Sequence, residues 1–141
     1  MDPDRRTTIV RGVFSLLAVL VFYVVWSTAR FFVYIEYSTP EQLDSPWGGP
    51  ALWIALPQLL SSFLMVVIGA LVYGRHRLRS RSGALVVLAL PVLVFLLDFV
   101  TGVFTDAPGN VLFLRFAAVS VGIGAAFWLV LPRGREIRGA V

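Results

Sequence analysis

The chain has 141 residues, of which 58% are hydrophobic and 14% charged, and its net charge is +4 with no cysteine. The mean hydropathy of +0.85 lies far above that of soluble globular domains. The lack of cysteine excludes disulfides, thiolate metal sites and thiol catalysis. The composition therefore predicts an integral membrane protein.

Four apolar runs follow one another along the chain. They cover residues 9–35, 51–74, 83–104 and 111–131. A helix needs roughly 20 predominantly apolar residues to cross a hydrocarbon core of about 30 Å, so each run is long enough to span. The predicted fold is all-α: residues 1–141 form one transmembrane domain, a bundle of four membrane-spanning helices.

The first run resembles a signal peptide in one respect, because Arg5 and Arg6 precede it and the small residues 27–29 could form a cleavage site. The run is too long for the hydrophobic region of a signal peptide, and it continues past that site through residues 31–33. We therefore expect it to be retained as the first span. At its far end, residues 36–50 form an acidic loop in which Thr39, Pro40 and Gln42 predict a short capped helix.

The connecting segments alternate in charge, and this predicts the orientation in the membrane. The loop 36–50 has no basic residue. Arginines cluster at the N-terminus, between the second and third runs, and after the fourth: Arg5, Arg6, Arg11; Arg75, Arg77, Arg79, Arg81; Arg133, Arg135, Arg138. Basic loops remain in the cytoplasm, so both termini and the loop 75–82 are predicted cytoplasmic and the loop 36–50 external. Arginine without lysine is typical of a GC-rich genome, and we expect a multi-pass protein of a prokaryotic plasma membrane.

The arginine loop between the second and third runs also predicts a partner. Arg75, Arg77, Arg79 and Arg81 are expected to contact anionic lipid headgroups of the bilayer. Nucleic acid is not expected as a partner, because the arginines are split among juxtamembrane clusters without interleaved aromatic residues. No metal or cofactor is expected, because the single histidine, His76, lies among arginines.

Deep inside the runs, three charged residues and one amide form the candidate site: Arg30, Asp98, Arg115 and Gln58. A charge near the bilayer centre costs about 2.5–3.5 kcal/mol on insertion scales, so such residues face the bundle interior and pair there. Asp98 lies roughly 6–8 Å and Arg115 about 9 Å outward of the midplane, on neighbouring antiparallel helices. The sequence therefore predicts an ion pair between them, with Arg30 and Gln58 in the same outer half and Arg30 either at the outer surface or paired with Glu36.

Helical spacing places small and polar residues on one face of each run. These faces contain Tyr23, Ser27, Arg30, Tyr34; Gln58, Ser61 or Ser62, Met65, Gly69; Pro91, Phe95, Asp98, Gly102; and Arg115, Ala118, Gly122, Ala126. We predict that they face inward. The last face is a small-xxx-small stripe that permits close helix packing, which we expect inside one chain rather than between copies. Aromatic anchors are predicted at both interfaces of the membrane: Tyr34, Tyr37, Trp47 and Trp53 at the outer one, and Tyr73 and Trp128 at the inner one.

The polar residues support two interpretations. In the first, they hold the helices together, and the protein is a structural or accessory subunit that binds another membrane protein or itself. In the second, Arg30, Asp98 and Arg115 form an outward-facing site of a small oligomeric transporter or channel for an anion. An enzyme is not expected, because the chain has no nucleophile–base pair, metal-ligand cluster or phosphate loop.

Overall fold

The computed structural model describes residues 3–131, and all regular structure in this range is helical. The elements are α1 (Pro3–Tyr37), α2 (Pro40–Asp44), α3 (Gly48–Pro50), a π-helical turn (Ala51–Ala55), α4 (Leu56–Tyr73), a 3-10 turn (Arg75–Arg79), α5 (Arg81–Phe104) and α6 (Gly109–Val130). Four helical stretches are long and apolar enough to cross a membrane: Asp4–Tyr37, Gly48–Tyr73, Arg81–Phe104 and Gly109–Val130. The predicted all-α architecture is confirmed, with four helices long and apolar enough to span a membrane. The predicted basic residues Arg133, Arg135 and Arg138 lie outside the described residues.

The helix α4 lies at the centre of the bundle. It packs most extensively against α6 and α1, and less extensively against α5. The main core cluster contains Val66, Ala70, Tyr73, Leu78, Val87, Ala126 and Val130. Large apolar side chains on the outer faces remain exposed, as on Phe32 and Leu85 at 65% and 69%. A continuous apolar exterior suits a lipid environment, since soluble proteins rarely expose such patches.

Neighbouring spans run in opposite directions, and hydrogen bonds connect their ends. Gly74, with φ +108°, ends α4 and begins the 3-10 turn. From that turn, Arg75 Nε donates to the carbonyl of Val130 at 3.3 Å, and Arg77 donates to the hydroxyl of Thr8. The start of α1 and the end of α6 therefore lie together with this turn, at what we call the arginine end. A cation is favourable beside the exposed carbonyls of a helix C-terminus.

The small residues of α6 make the closest helix contact. A Cβ atom on Gly122 would lie 2.2 Å from Ser62 Oγ and 2.6 Å from the carbonyl oxygen of Leu59, both on α4. Ala118 and Ala126 on the same face are 6% and 0% exposed. The predicted packing of this stripe within the chain is confirmed, and its partner is α4.

At the opposite end of the bundle, a cover segment (residues 38–50) folds back over the helices. The predicted capping box is present. The Thr39 hydroxyl accepts from the backbone N–H of Gln42, and the side-chain oxygen of Gln42 accepts from the backbone N–H of Thr39. A Cβ on Gly49 would lie 2.3 Å from the carbonyl oxygen of Gln42, so only glycine permits this close return of the chain. Asn110 Nδ2 donates to the carbonyl of Pro46 at 2.6 Å and ties the cover segment to the start of α6.

The π-helical turn follows directly from the cover segment and leads into Pro57 at the start of α4. Proline has no amide hydrogen, so a carbonyl in the preceding turn lacks its α-helical donor. Such a turn widens locally and accommodates one extra residue. The widened turn contains Trp53 and Ile54, which face the cavity described below.

Candidate binding site

A cavity of about 540 Å³ lies beneath the cover segment, at the end of the bundle opposite the arginine end. Its lining comes from α1, the cover segment, the π-helical turn and α6: Ser27, Arg30, Phe31, Tyr34, Leu43, Gly49, Pro50, Trp53, Ile54 and Arg115. The volume falls in the range of about 300–1,000 Å³ that is usual for small-molecule sites. We call it the head cavity.

One wall of the head cavity is the predicted polar face of α1. Ser27, Arg30 and Tyr34 are spaced by three and four residues, so they share one side of the helix and all line the cavity. Tyr23, the first residue of that predicted face, is not among the lining residues. Of the four residues predicted to share this face, the last three line the head cavity.

The opposite wall is held in place by Trp53. Its ring packs edge-on against Tyr34 with centroids 5.6 Å apart, and its Nε1 donates to Gln42 Oε1 at 3.1 Å. Because Gln42 also caps α2, one side chain fixes both the short helix and the indole. Tyr34 and Trp53, predicted as interface anchors, therefore contribute to the site itself.

The predicted ion pair between Asp98 and Arg115 requires a correction. The two residues are brought together, but Arg115 Nη1 donates to the backbone carbonyl of Asp98 at 3.0 Å, not to its carboxylate. The carboxylate oxygen Oδ2 instead accepts from Gln58 Nε2 at 3.2 Å. Two features explain the difference. The amide of Gln58, only 5% exposed on the central helix, reaches the carboxylate from α4. Arg115 projects toward the head cavity, where its guanidinium lies over the α5 backbone.

Arg30 has no hydrogen bond or ion pair with any other residue in the range 3–131, so the predicted alternative of pairing with Glu36 is wrong. Its side chain is half-buried and lines the head cavity. A guanidinium carries five donors and is never neutral in proteins. Arg30 is therefore the group with the greatest unused capacity to bind an anion.

Two further donors are buried without an acceptor in the described part of the chain: Arg115 Nε and Trp26 Nε1. Buried polar atoms nearly always have partners, and exceptions often mark a site for water or a ligand. Arg115 lines the head cavity, and Trp26 lines a second, apolar cavity beside it. Both unpaired donors therefore belong to residues that line one of these two adjacent cavities.

The charges around the head cavity favour an anion. Two guanidinium groups line it, whereas its lining contains no carboxylate. Asp98 lies behind Arg115, where Gln58 already binds its carboxylate. Of the predicted site residues, Arg30 and Arg115 therefore line the cavity, and Gln58 and Asp98 support it from behind. Within residues 3–131 there is no cluster of histidine, cysteine, aspartate and glutamate suited to a metal ion.

Sequence reasoning missed the wall that the cover segment provides. Leu43, Gly49, Pro50 and Ile54 all line the cavity. The capping pattern predicted α2 correctly, but nothing in the local pattern indicates that the segment returns across the bundle. The glycine pair at residues 48–49 is the signal that was available, since adjacent glycines permit close backbone contact.

Comparison of this chain with known protein families, with curated proteins and with solved structures finds no match. The site contains two arginines, an aromatic wall and a cover segment, arranged around an open cavity.

Proposed function

We propose that this chain is a multi-pass plasma-membrane protein that binds an anionic ligand in the head cavity from the extracytoplasmic side. The observation that carries the proposal is that Arg30 and Arg115 line one cavity of about 540 Å³ without a carboxylate in its lining. Paired guanidinium groups bind phosphate and carboxylate oxygens through charge-assisted hydrogen bonds. Binding would supply the acceptors that Arg30 lacks within the described chain.

The orientation is part of the proposal. With the arginine end in the cytoplasm, the head cavity faces outward. At the arginine end, Arg75 and Arg77 donate to the chain itself. Among the arginines of this loop, we assign the contact with anionic lipid headgroups to the exposed Arg81.

Topology reporters test this orientation. Fusions after Ser80 and after Val141 are expected to report the cytoplasm, and fusions at Asp44 and Pro108 the external side, because arginine-rich segments are retained inside. A cytoplasmic signal at Asp44, with the fusion protein stably inserted, would contradict the proposed orientation and with it an outward-facing site.

The proposal is restricted to binding. Between the head cavity and the arginine end, the interior contains the buried side chains of Met65, Val66 and Ala70, which are 2%, 1% and 0% exposed. Transport would require these layers to separate. Catalysis is also outside the proposal, because the lining offers no histidine, cysteine or carboxylate as a base.

A second candidate function is that of an accessory subunit in which the polar residues only hold helices together. The hydrogen bonds from Gln58 and Arg115 to Asp98 favour it, since they join α4 and α6 to α5. Arg30 distinguishes this role from anion binding. It joins no helices by a hydrogen bond in the described chain, so an accessory role does not require it, whereas anion binding does.

Butyl phosphate and butylammonium, which have the same chain and opposite charge, test the proposal as probes. In phosphatidylcholine nanodiscs, butyl phosphate is expected to raise the melting temperature of the protein and butylammonium to leave it unchanged. Arg30→Gln should weaken butyl phosphate binding by about tenfold or more, as expected for loss of a charge-assisted hydrogen bond.

Arg81→Gln provides the matched control, because it removes an exposed arginine at the other end of the bundle. Its affinity for butyl phosphate should equal that of the unchanged protein. Equal affinity in the Arg30→Gln variant, or no stabilisation of the unchanged protein by butyl phosphate, would refute anion binding in the head cavity and leave the accessory role.

A further inference from the structure

An apolar groove lies next to the head cavity, between α1 and the segment formed by the π-helical turn and α4. Its volume is about 270 Å³, and its lining consists of Trp26, Ala29, Arg30, Val33, Leu52, Trp53, Leu56, Pro57 and Leu60. Apart from the guanidinium of Arg30, this lining is almost wholly apolar. We call it the chain groove.

The two compartments meet at the same two side chains. Arg30 and Trp53 line both the head cavity and the chain groove. Along α1 the two compartments cover nearly the same depth, residues 27–34 and 26–33, so they lie side by side; along the second span the groove extends to Leu60, about 9 Å beyond Ile54 of the head cavity. The site therefore places two arginines on one side and a hydrocarbon-lined surface on the other, with Arg30 between them.

The chain groove is open along its outer side. Leu52, Leu56 and Leu60 on its rim are 42%, 47% and 40% exposed. A ligand that enters from the surrounding lipid could therefore place a chain against this surface without passing through the head cavity. An anion that arrives from water would use only the head cavity.

Building on the proposed function, we infer that the ligand is an anionic phospholipid whose phosphate lies between Arg30 and Arg115 and whose first acyl chain lies in the chain groove. Charge complementarity selects the headgroup, because a net negative phosphate diester satisfies the two guanidinium groups. A phosphatidylcholine headgroup would bring a quaternary ammonium into a cavity lined by two cations and no carboxylate. The apolar lining selects a lipid over a free anion.

A second groove on the same helix provides a comparison. It lies between α1 and α5 and is lined by Val13, Leu16, Leu17, Leu20, Ala89, Leu90 and Leu93. It has no charged or polar lining residue, so it can distinguish lipid types only by their chains. Ala29 in the chain groove and Ala89 in this second groove are both exposed alanines, and they offer matched positions for substitution.

Tryptophan quenching by brominated lipids tests the inference. In a Trp47→Phe, Trp128→Phe background, the two remaining tryptophans, Trp26 and Trp53, both line the chain groove. The full chain is reconstituted in phosphatidylcholine bilayers that contain a minority of phosphatidylglycerol or phosphatidylcholine brominated on the acyl chains. Brominated phosphatidylglycerol should occupy the site with about tenfold preference over brominated phosphatidylcholine, which corresponds to one charge-assisted contact.

Three variants locate the lipid. Arg30→Gln should abolish the preference for brominated phosphatidylglycerol by removing the cation at the junction. Ala29→Phe should reduce quenching by filling the chain groove, and Ala89→Phe should leave both quenching and preference unchanged. Butyl phosphate should still bind to the Ala29→Phe variant, because its short chain does not need the groove; this binding also shows that the variant is folded.

The outcomes separate this inference from the proposed function. If both brominated lipids quench equally while butyl phosphate binds in an Arg30-dependent manner, the site takes a free anion and the inference is refuted. If butyl phosphate does not bind and no lipid preference exists, the proposed function fails as well. Equal loss of quenching in Ala29→Phe and Ala89→Phe would also refute the inference, because the lipid would then bind no more strongly in the chain groove than in the groove between α1 and α5.

Discussion

Replacing Gly122 with leucine is expected to destabilise the protein by about 3 kcal/mol or more, the upper range for overpacked cores. Even the Cβ atom would lie 2.2 Å from Ser62 Oγ and 2.6 Å from the Leu59 carbonyl oxygen. The hydroxyl can rotate, but the carbonyl belongs to the central helix and can move only if α4 and α6 separate. The measurement is the thermal or denaturant stability of the purified protein in mild detergent.

Gly124 is the matched control, because it lies on the same helix and a Cβ there would meet nothing within 4 Å. Alanine has a helix propensity about 1 kcal/mol better than glycine, so Gly124→Ala should be neutral or slightly stabilising. Gly122→Ala should be destabilising despite the same propensity gain. A stable Gly122→Leu monomer that only loses self-association would show that this face packs against a second copy.

The spacing of small residues was sufficient to predict a close helix contact at Gly122, and Arg115 on the same face, which needs Asp98, favoured packing inside the chain; neither feature indicated which helix is the partner. Membrane-spanning helices have similar apolar surfaces, so the partner depends on which small faces fit most closely. Gly69 on α4 and Gly102 on α5 made both helices reasonable partners for α6. The observed contact is with α4, where Ser62 and the Leu59 carbonyl leave space for glycine alone.

The sequence was sufficient to predict which residues form the candidate site and at what depth they lie, but not which of their atoms make contact. A rise of about 1.5 Å per residue was enough to place Asp98 and Arg115 at one height. The rise per residue could not show whether Arg115 contacts the carboxylate or the backbone carbonyl of Asp98. The contact with the carbonyl arises because Gln58, from a third helix, binds the carboxylate. The cover segment was unpredictable for a related reason: its position depends on contacts far along the chain, such as that between Asn110 and Pro46.

Neutralising Asp98 or Arg115 alone is expected to lower the stability of the protein by about 2 kcal/mol, somewhat less than the 3–5 kcal/mol seen for fully buried pairs. Asp98→Asn keeps a partner for Gln58 but leaves Arg115 without its nearest counter-charge. Arg115→Gln removes the cation that contacts the Asp98 backbone and weakens the contact to the Asp98 carbonyl. Unfolding of each variant in detergent gives the two free-energy changes.

The double variant measures whether the two charges interact. If they do, Asp98→Asn with Arg115→Gln should recover at least about 1 kcal/mol relative to the sum of the single losses, as expected for coupled neighbours. Stability losses that simply add would show that Asp98 and Arg115 act independently, and that the carbonyl contact is the whole of their connection.

The same double variant separates the two candidate functions through butyl phosphate binding. If the polar residues only hold helices together, the protein has no anion site, and neither the unchanged protein nor the variant binds butyl phosphate. If the head cavity binds anions, the stabilised double variant should bind about tenfold or more weakly, because one of the two lining guanidinium groups is gone. Asp98→Asn alone should bind at least as tightly as the unchanged protein, since it removes a negative charge behind the cavity and leaves both arginines in place. Weaker binding in Asp98→Asn, in a variant that remains folded, would contradict the assignment of Asp98 as a supporting residue outside the cavity.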